Sequence, residues 1–224
     1  MDFIPTHSEF YNSISENHYD LFLQTSEELQ KMANKYGSYD FLSNTPEDND
    51  RFSQLQSLQR EALFISIVFQ AFAIEAYTNL VATHLYKEED FFGIFEQMNT
   101  LKKIRKIFSE KLNKDFDSQE AVKEKIKKLF DLRDSLVHFK SRKLDLEHIQ
   151  ENPMNYNPYE YISSLYEGVD EVMKSFPLLK GLVNSLIGYD IYNQMMDDLS
   201  NLMQWNIQEM MKKTFTSNSS NEII

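Results

Sequence analysis

The 224-residue sequence predicts an all-α protein, an antiparallel helical bundle with an extra N-terminal helix and a C-terminal helical extension. Three observations lead there. Only 5 Gly and 5 Pro occur, too few for the turns of a many-stranded β fold. Apolar residues recur at steps of three, four and seven, the period of a helix that buries one face. Residues 62–86, ALFISIVFQAFAIEAYTNLVATHLY, begin with a run that is apolar nearly all round, as expected of a helix at the centre of a bundle.

The elements follow in order. Phe10, Ile14, Leu21, Phe22, Leu29, Met32 and Tyr36 share helical spacing, with Ser8 as the N-cap and Gly37 as the stop. Residues 37–50 (GSYDFLSNTPEDND) are rich in turn formers and read as a loop. A helix free of Gly and Pro is expected from Arg51 to about Tyr86, its first part polar with Leu55 and Leu58 on one side. Shorter helices are expected over residues 90–98 and 100–112. Asp117 with Glu120 matches a capping box, followed by a stripe of Ala121, Val122, Ile126, Leu129, Phe130, Leu136 and Val137 that carries a helix to about Phe139. Residues 142–157 read as a loop, and Pro158 suits the first turn of a helix to about Phe176. Helical patterning continues over 177–213, with Gly181 and Gly188 as candidate breaks. The organisation expected is therefore a helix and loop over 1–50, a bundle over 51–180, a helical extension over 181–213 and a short polar tail over 214–224.

Composition narrows the class. With 42% hydrophobic and 26% charged residues the chain is built to form a core rather than to remain disordered. The N-terminal MDFIPTHSEFYNSISENH has no basic region followed by an apolar run, so no signal peptide is expected. The apolar run of residues 62–77 is shorter than the roughly 20 residues of a bilayer span and contains Gln70 and Glu75, so a soluble protein without a membrane partner is expected. The absence of Cys excludes disulfides and thiolate chemistry and suits a cytoplasmic location. The five His residues show no i,i+3 or i,i+4 pairing, and nucleotide-loop, zincin, calcium-loop and hydrolase-elbow signatures are missing. Neither a metal nor a cofactor is expected.

Charge is unevenly distributed. The net charge of −12 argues against nucleic-acid binding by the whole surface. Residues 102–143, however, hold 14 Lys and Arg against 7 Asp and Glu, a local net of +7 that leaves −19 elsewhere. A solvated helix face explains this segment as charge alone, and a phosphate-binding surface explains it more specifically.

Within that segment stands Leu132-Arg133-Asp134-Ser135-Leu136-Val137-His138. The R-x4-H spacing, an apolar residue before the Arg and an acidic residue after it resemble the R-x(4–6)-H motif of HEPN domains. Arg142 and His148 also satisfy the spacing, but they fall in the expected loop and Lys143 follows the Arg. Upstream, Glu75, Tyr77, Asn79 and Leu80, spaced E-x-Y-x-N-L, resemble the stretch of the apolar HEPN helix that carries an acidic residue. The resemblance covers roughly residues 55–180. It implies a metal-independent endoribonuclease, of the kind found among bacterial toxins and phage-defence effectors, in which a ribose 2′-OH attacks the adjacent phosphate. Arg133 would bind the phosphate, His138 would transfer the proton, and Asp134 and Glu75 would orient them. Lys125, Lys128, Lys140, Arg142 and Lys143 would attract the RNA backbone.

The chemistry suits those residue types. Imidazole exchanges protons near neutral pH, and guanidinium is a permanent cation with a planar donor fork. Residues five apart lie roughly 140° apart around a helix, so one regular helix does not bring Arg133 and His138 onto a narrow face. The resemblance resolves this with a homodimer whose two motifs line one cleft. Where related toxins carry a Tyr two residues after the motif His, this sequence has Lys140, so inactivation by nucleotide transfer to a Tyr there is not supported. A cognate antitoxin or regulatory protein remains a candidate partner.

Competing readings stand beside this one. Read singly, His138 is a helix C-terminal residue favoured by the dipole, and Arg133 and Asp134 are surface charges that do not face each other across a turn. Glu75 differs, because a carboxylate in an apolar helix needs a partner, and Arg133 is the expected one. A non-catalytic HEPN-fold dimer acting in protein interaction is the alternative function. A helical scaffold unrelated to that family is the third.

Overall fold

The structure is a computed structural model that describes residues 7–36, 46–87, 97–137 and 168–191, together with residues 93, 95, 193, 194, 197 and 200. Six α-helices occur among these residues: α1 (His7–Tyr36), α2 (Pro46–Leu85), α3 (Thr100–Glu110), α4 (Glu120–Val137), the single turn α5 (Val169–Val172) and α6 (Ser175–Ile187). A 3-10 turn, Phe116–Ser118, precedes α4, and no strand is present among the described residues. Two compact units divide the chain, Met1–Gly181 and Leu182–Ile224, so α1 through α5 belong to the first.

Helices α1 and α2 form an antiparallel hairpin. The direction is plain from the pairs that tie them: Lys35 with Asp48, Arg51 with Glu28, Gln59 with Ser26, and Ser15 with Ser66. Tyr11 completes the seam between Phe69 and Phe72, with centroid separations of 5.8 Å to each. These surface ion pairs contribute little individually. The buried seam holds the hairpin together through Phe22, Leu29 and Ala33 of α1 and Leu55, Leu63 and Ile67 of α2.

At its centre the seam carries a buried polar link. Ser15 Oγ lies 2.8 Å from the Ser66 carbonyl oxygen and 3.0 Å from Gln70 Oε1, so one hydroxyl hydrogen serves two acceptors. Gln70 Nε2 donates to the Met173 carbonyl at 3.0 Å, which fixes the amide orientation and joins α2 to the turn after α5. Gln70 is fully buried, and these bonds offset the cost of placing an amide there.

The second half of α2 is the axis of the first unit. Ala73, Ile74, Tyr77, Leu80, Val81 and Ala82 are all at most 2% exposed. Tyr77 meets Phe176 edge to face at 5.8 Å, and α3 and α4 cover the remaining sides with Ile104, Ile107, Phe108, Ile126 and Leu129. By length and composition α2 also qualifies as a membrane span, but 56% of the relevant window is buried inside the protein, the condition of a core helix.

Several local expectations need correction. Ser8 is not an N-cap: it lies inside α1, buried, and its hydroxyl finds no partner among the described residues. Residues 46–50 are not loop, because α2 begins at Pro46, where the missing N–H costs nothing and Glu47 and Asp48 complement the dipole. Asp117 does not cap α4. It sits in the 3-10 turn, whose N-cap is Asp115, and its carboxylate is taken by Arg105 at 3.0 Å and Lys123 at 3.8 Å. Helix α3 ends at Glu110 rather than 112, and Asn113 turns the chain at φ 51°. A continuous helix to Phe176 is interrupted by Gly168 at φ 73° and by the turn at Met173 and Lys174. Gly181 does not break α6, whereas Gly188, at φ 90°, ends it. Residues 138–167 and 201–224, and with them the helix expected to open at Pro158 and the tail, lie outside the described residues, as do most of 90–98.

Candidate active site

Arg133 belongs to the next-to-last turn of α4, on the side that meets α2. Its Nη1 donates to Glu75 Oε1 at 2.5 Å across the helix interface. Its Nε and Nη2 both donate to Asp134 Oδ1, at 3.0 and 2.7 Å. The guanidinium carbon stands 4.7 Å from the centroid of the Phe130 ring, one turn earlier on the same helix. Two carboxylates and one aromatic face therefore fix the plane of the fork. Five N–H groups are available to an arginine and three are used here, so two stay open among the described residues.

Electrostatics favour a permanent cation. Partial burial opposes the charge, but the hydrogen bonds and negative charges of Asp134 and Glu75 outweigh it, so the Arg133 pKa lies above its ordinary value. Side-chain exposure grades across the cluster, 21% for Arg133, 34% for Glu75 and 54% for Asp134. Breaking a fully buried ion pair costs about 3–5 kcal/mol, and water at the rim reduces that figure here.

The Glu75–Arg133 pair expected from the sequence is present. The expectation that neighbouring Arg133 and Asp134 do not meet is corrected: the arginine side chain is long enough to turn back onto the adjacent carboxylate. Two neighbours of the cluster escaped sequence reasoning. Phe130, at i−3, was legible from helical spacing once Arg133 was singled out. Lys103 of α3 donates to Asn79 Oδ1 at 2.9 Å, one turn along α2 from Glu75, and nothing local in the sequence marks it. α2 thus presents Glu75 and Asn79 on successive turns, each engaging a cation from a different helix.

The expected RNA-binding residues are divided. Lys125 is ion-paired with Glu171 and sits eight residues before Arg133, roughly 12 Å along α4. Lys128 lies against Gly168, where a methyl group would collide with its Nζ. His138, Lys140, Arg142 and Lys143 lie outside the described residues, as does His148. Within the basic segment Arg105 pairs with Asp117 and Lys106 with Glu110, acids already counted in its net charge, whereas Glu171 and Glu75, the partners of Lys125 and Arg133, come from outside it. Exposed Lys102, Lys114 and Lys127 make no ion pair among the described residues.

No protein-family model matches the chain, and no curated protein or solved structure is significantly similar to it.

Proposed function

We propose that the protein is a HEPN-like, metal-independent endoribonuclease that acts in the cytoplasm as a homodimer, of the toxin or phage-defence kind. The observation that carries this reading is the Arg133 guanidinium: held by Glu75 from another helix, stacked on Phe130, and still offering two N–H groups. A planar cation whose plane is held by Glu75 and Phe130 stabilises the charge of a phosphorane-like transition state. The motif places His138 five residues later. In the proposed reaction an imidazole removes the 2′-OH proton, the 2′-oxygen attacks phosphorus, and the 5′-oxygen leaves with a proton returned from an imidazolium. The products are a 2′,3′-cyclic phosphate and a 5′-hydroxyl. Two copies of the chain supply two imidazoles, one for each proton transfer.

Product chemistry tests this. Cleavage of an oligoribonucleotide is expected to leave a cyclic phosphate, to be unaffected by EDTA, and to stop when the scissile nucleotide carries a 2′-deoxyribose. Mass spectrometry showing 5′-phosphate and 3′-hydroxyl ends would refute the mechanism.

A non-catalytic interaction role is favoured by one observation, that two carboxylates already match the Arg133 charge within a single chain. A cognate antitoxin or regulatory protein would fit either reading.

A further inference from the structure

The two carboxylates on Arg133 are not equivalent. Glu75 joins α4 to α2, so its bond holds two helices together. Asp134 is the next residue on the same turn, and its bonds join no two elements. Its side chain is 54% exposed, so releasing it returns a carboxylate to water at small cost. What it covers is specific. Nε and Nη2 form the side-on edge with which arginine grips two oxygens of a phosphate, and both N–H groups converge on the single Asp134 Oδ1. The Phe130 ring and Glu75 keep the guanidinium plane in place if Asp134 departs.

We propose that Asp134 is a built-in competitor for the phosphate edge of Arg133, and that an RNA phosphate engages the arginine by displacing it. The inference rests on the reading of Arg133 as the phosphate-binding group. It gives Asp134 a role opposite to simple support: the carboxylate sets a threshold that weak monoanions do not cross and that a polyanionic backbone does.

Two probes separate this inference from the ribonuclease reading. Binding of a fluorescein-labelled 2′-O-methyl oligoribonucleotide, which lacks the attacking hydroxyl, is followed by anisotropy. Binding of inorganic pyrophosphate is followed by calorimetry. Asp134→Asn is expected to bind both about fivefold more tightly, because the charged competitor is gone while the side-chain shape is kept. Asp131→Asn, an exposed carboxylate three residues earlier on α4, controls for net charge and is expected to leave both affinities near wild type. Adding Arg133→Ala to Asp134→Asn is expected to erase the gain. Tighter pyrophosphate binding with unchanged oligonucleotide binding would uphold the competitor and count against RNA as the ligand. Unchanged or weaker binding of both probes by Asp134→Asn would overturn the proposal. So would an equal gain in Asp131→Asn, or a gain that survives the loss of Arg133.

Discussion

Replacing Arg133 with alanine is expected to lower the proposed RNA cleavage by about 10²–10³-fold in kcat, the usual effect of removing one preorganised charge-stabilising donor. The effect comes from geometry rather than charge alone. Glu75, at 2.5 Å, and the Phe130 ring, 4.7 Å from the guanidinium carbon, fix the orientation of the fork before substrate arrives. Arg133→Lys separates the two contributions. An ammonium can satisfy Glu75, but it cannot at the same time present a planar two-donor edge to a phosphate or stack as a plane on Phe130. Roughly a tenth of wild-type activity or less is expected for that variant, with most of the stability retained. Initial rates on a fluorescent RNA, with urea denaturation as the folding control, check both statements. Full activity in Arg133→Lys would mean that only a positive charge is needed there.

Tyr77→Ala is expected to destabilise the protein by about 3–5 kcal/mol, the cost of deleting a buried aromatic ring. Tyr77 is completely buried in the axis of the first unit and packs edge-on against Phe176. A domain of this size is stable by only about 5–15 kcal/mol, so much of that margin would be lost. Because Tyr77 follows Glu75 by two residues on α2, the register of the candidate site would loosen with the core. Phe10→Ala supplies the contrast. Phe10 is 59% exposed, and its loss is expected to change stability by about 0.5 kcal/mol or less. Urea titration of the two variants side by side measures the difference, and equal midpoints would show that α2 is not the axis described.

These two residues also show what the sequence made legible. Tyr77 lies in a run apolar nearly all round, which only a central helix tolerates. Glu75 interrupts that run, and a carboxylate there demands a cation, so its pairing with Arg133 could be anticipated. Lys103 could not. Its bond to Asn79 depends on where α3 crosses α2, which no local spacing encodes. Gln70 was visible as a polar residue in an apolar run, but its partners Ser15 and Met173 lie 55 and 103 residues away. The misplaced boundaries share one cause. Pro46, Ser8 and Asp117 each have side-chain chemistry suited to more than one backbone role, and for Asp117 tertiary partners decided: Arg105 and Lys123 claimed the carboxylate that a cap would have used. Charge counting likewise located the basic segment but not the acids that face it, such as Glu171 opposite Lys125.

The proposed ribonuclease activity meets its most direct test in total RNA incubated in EDTA with the wild-type protein and with His138→Ala. The wild type is expected to cleave, and His138→Ala is expected to be at least about 100-fold slower, the contribution of a positioned general acid–base. Equal residual activity in the two proteins would contradict the proposed mechanism.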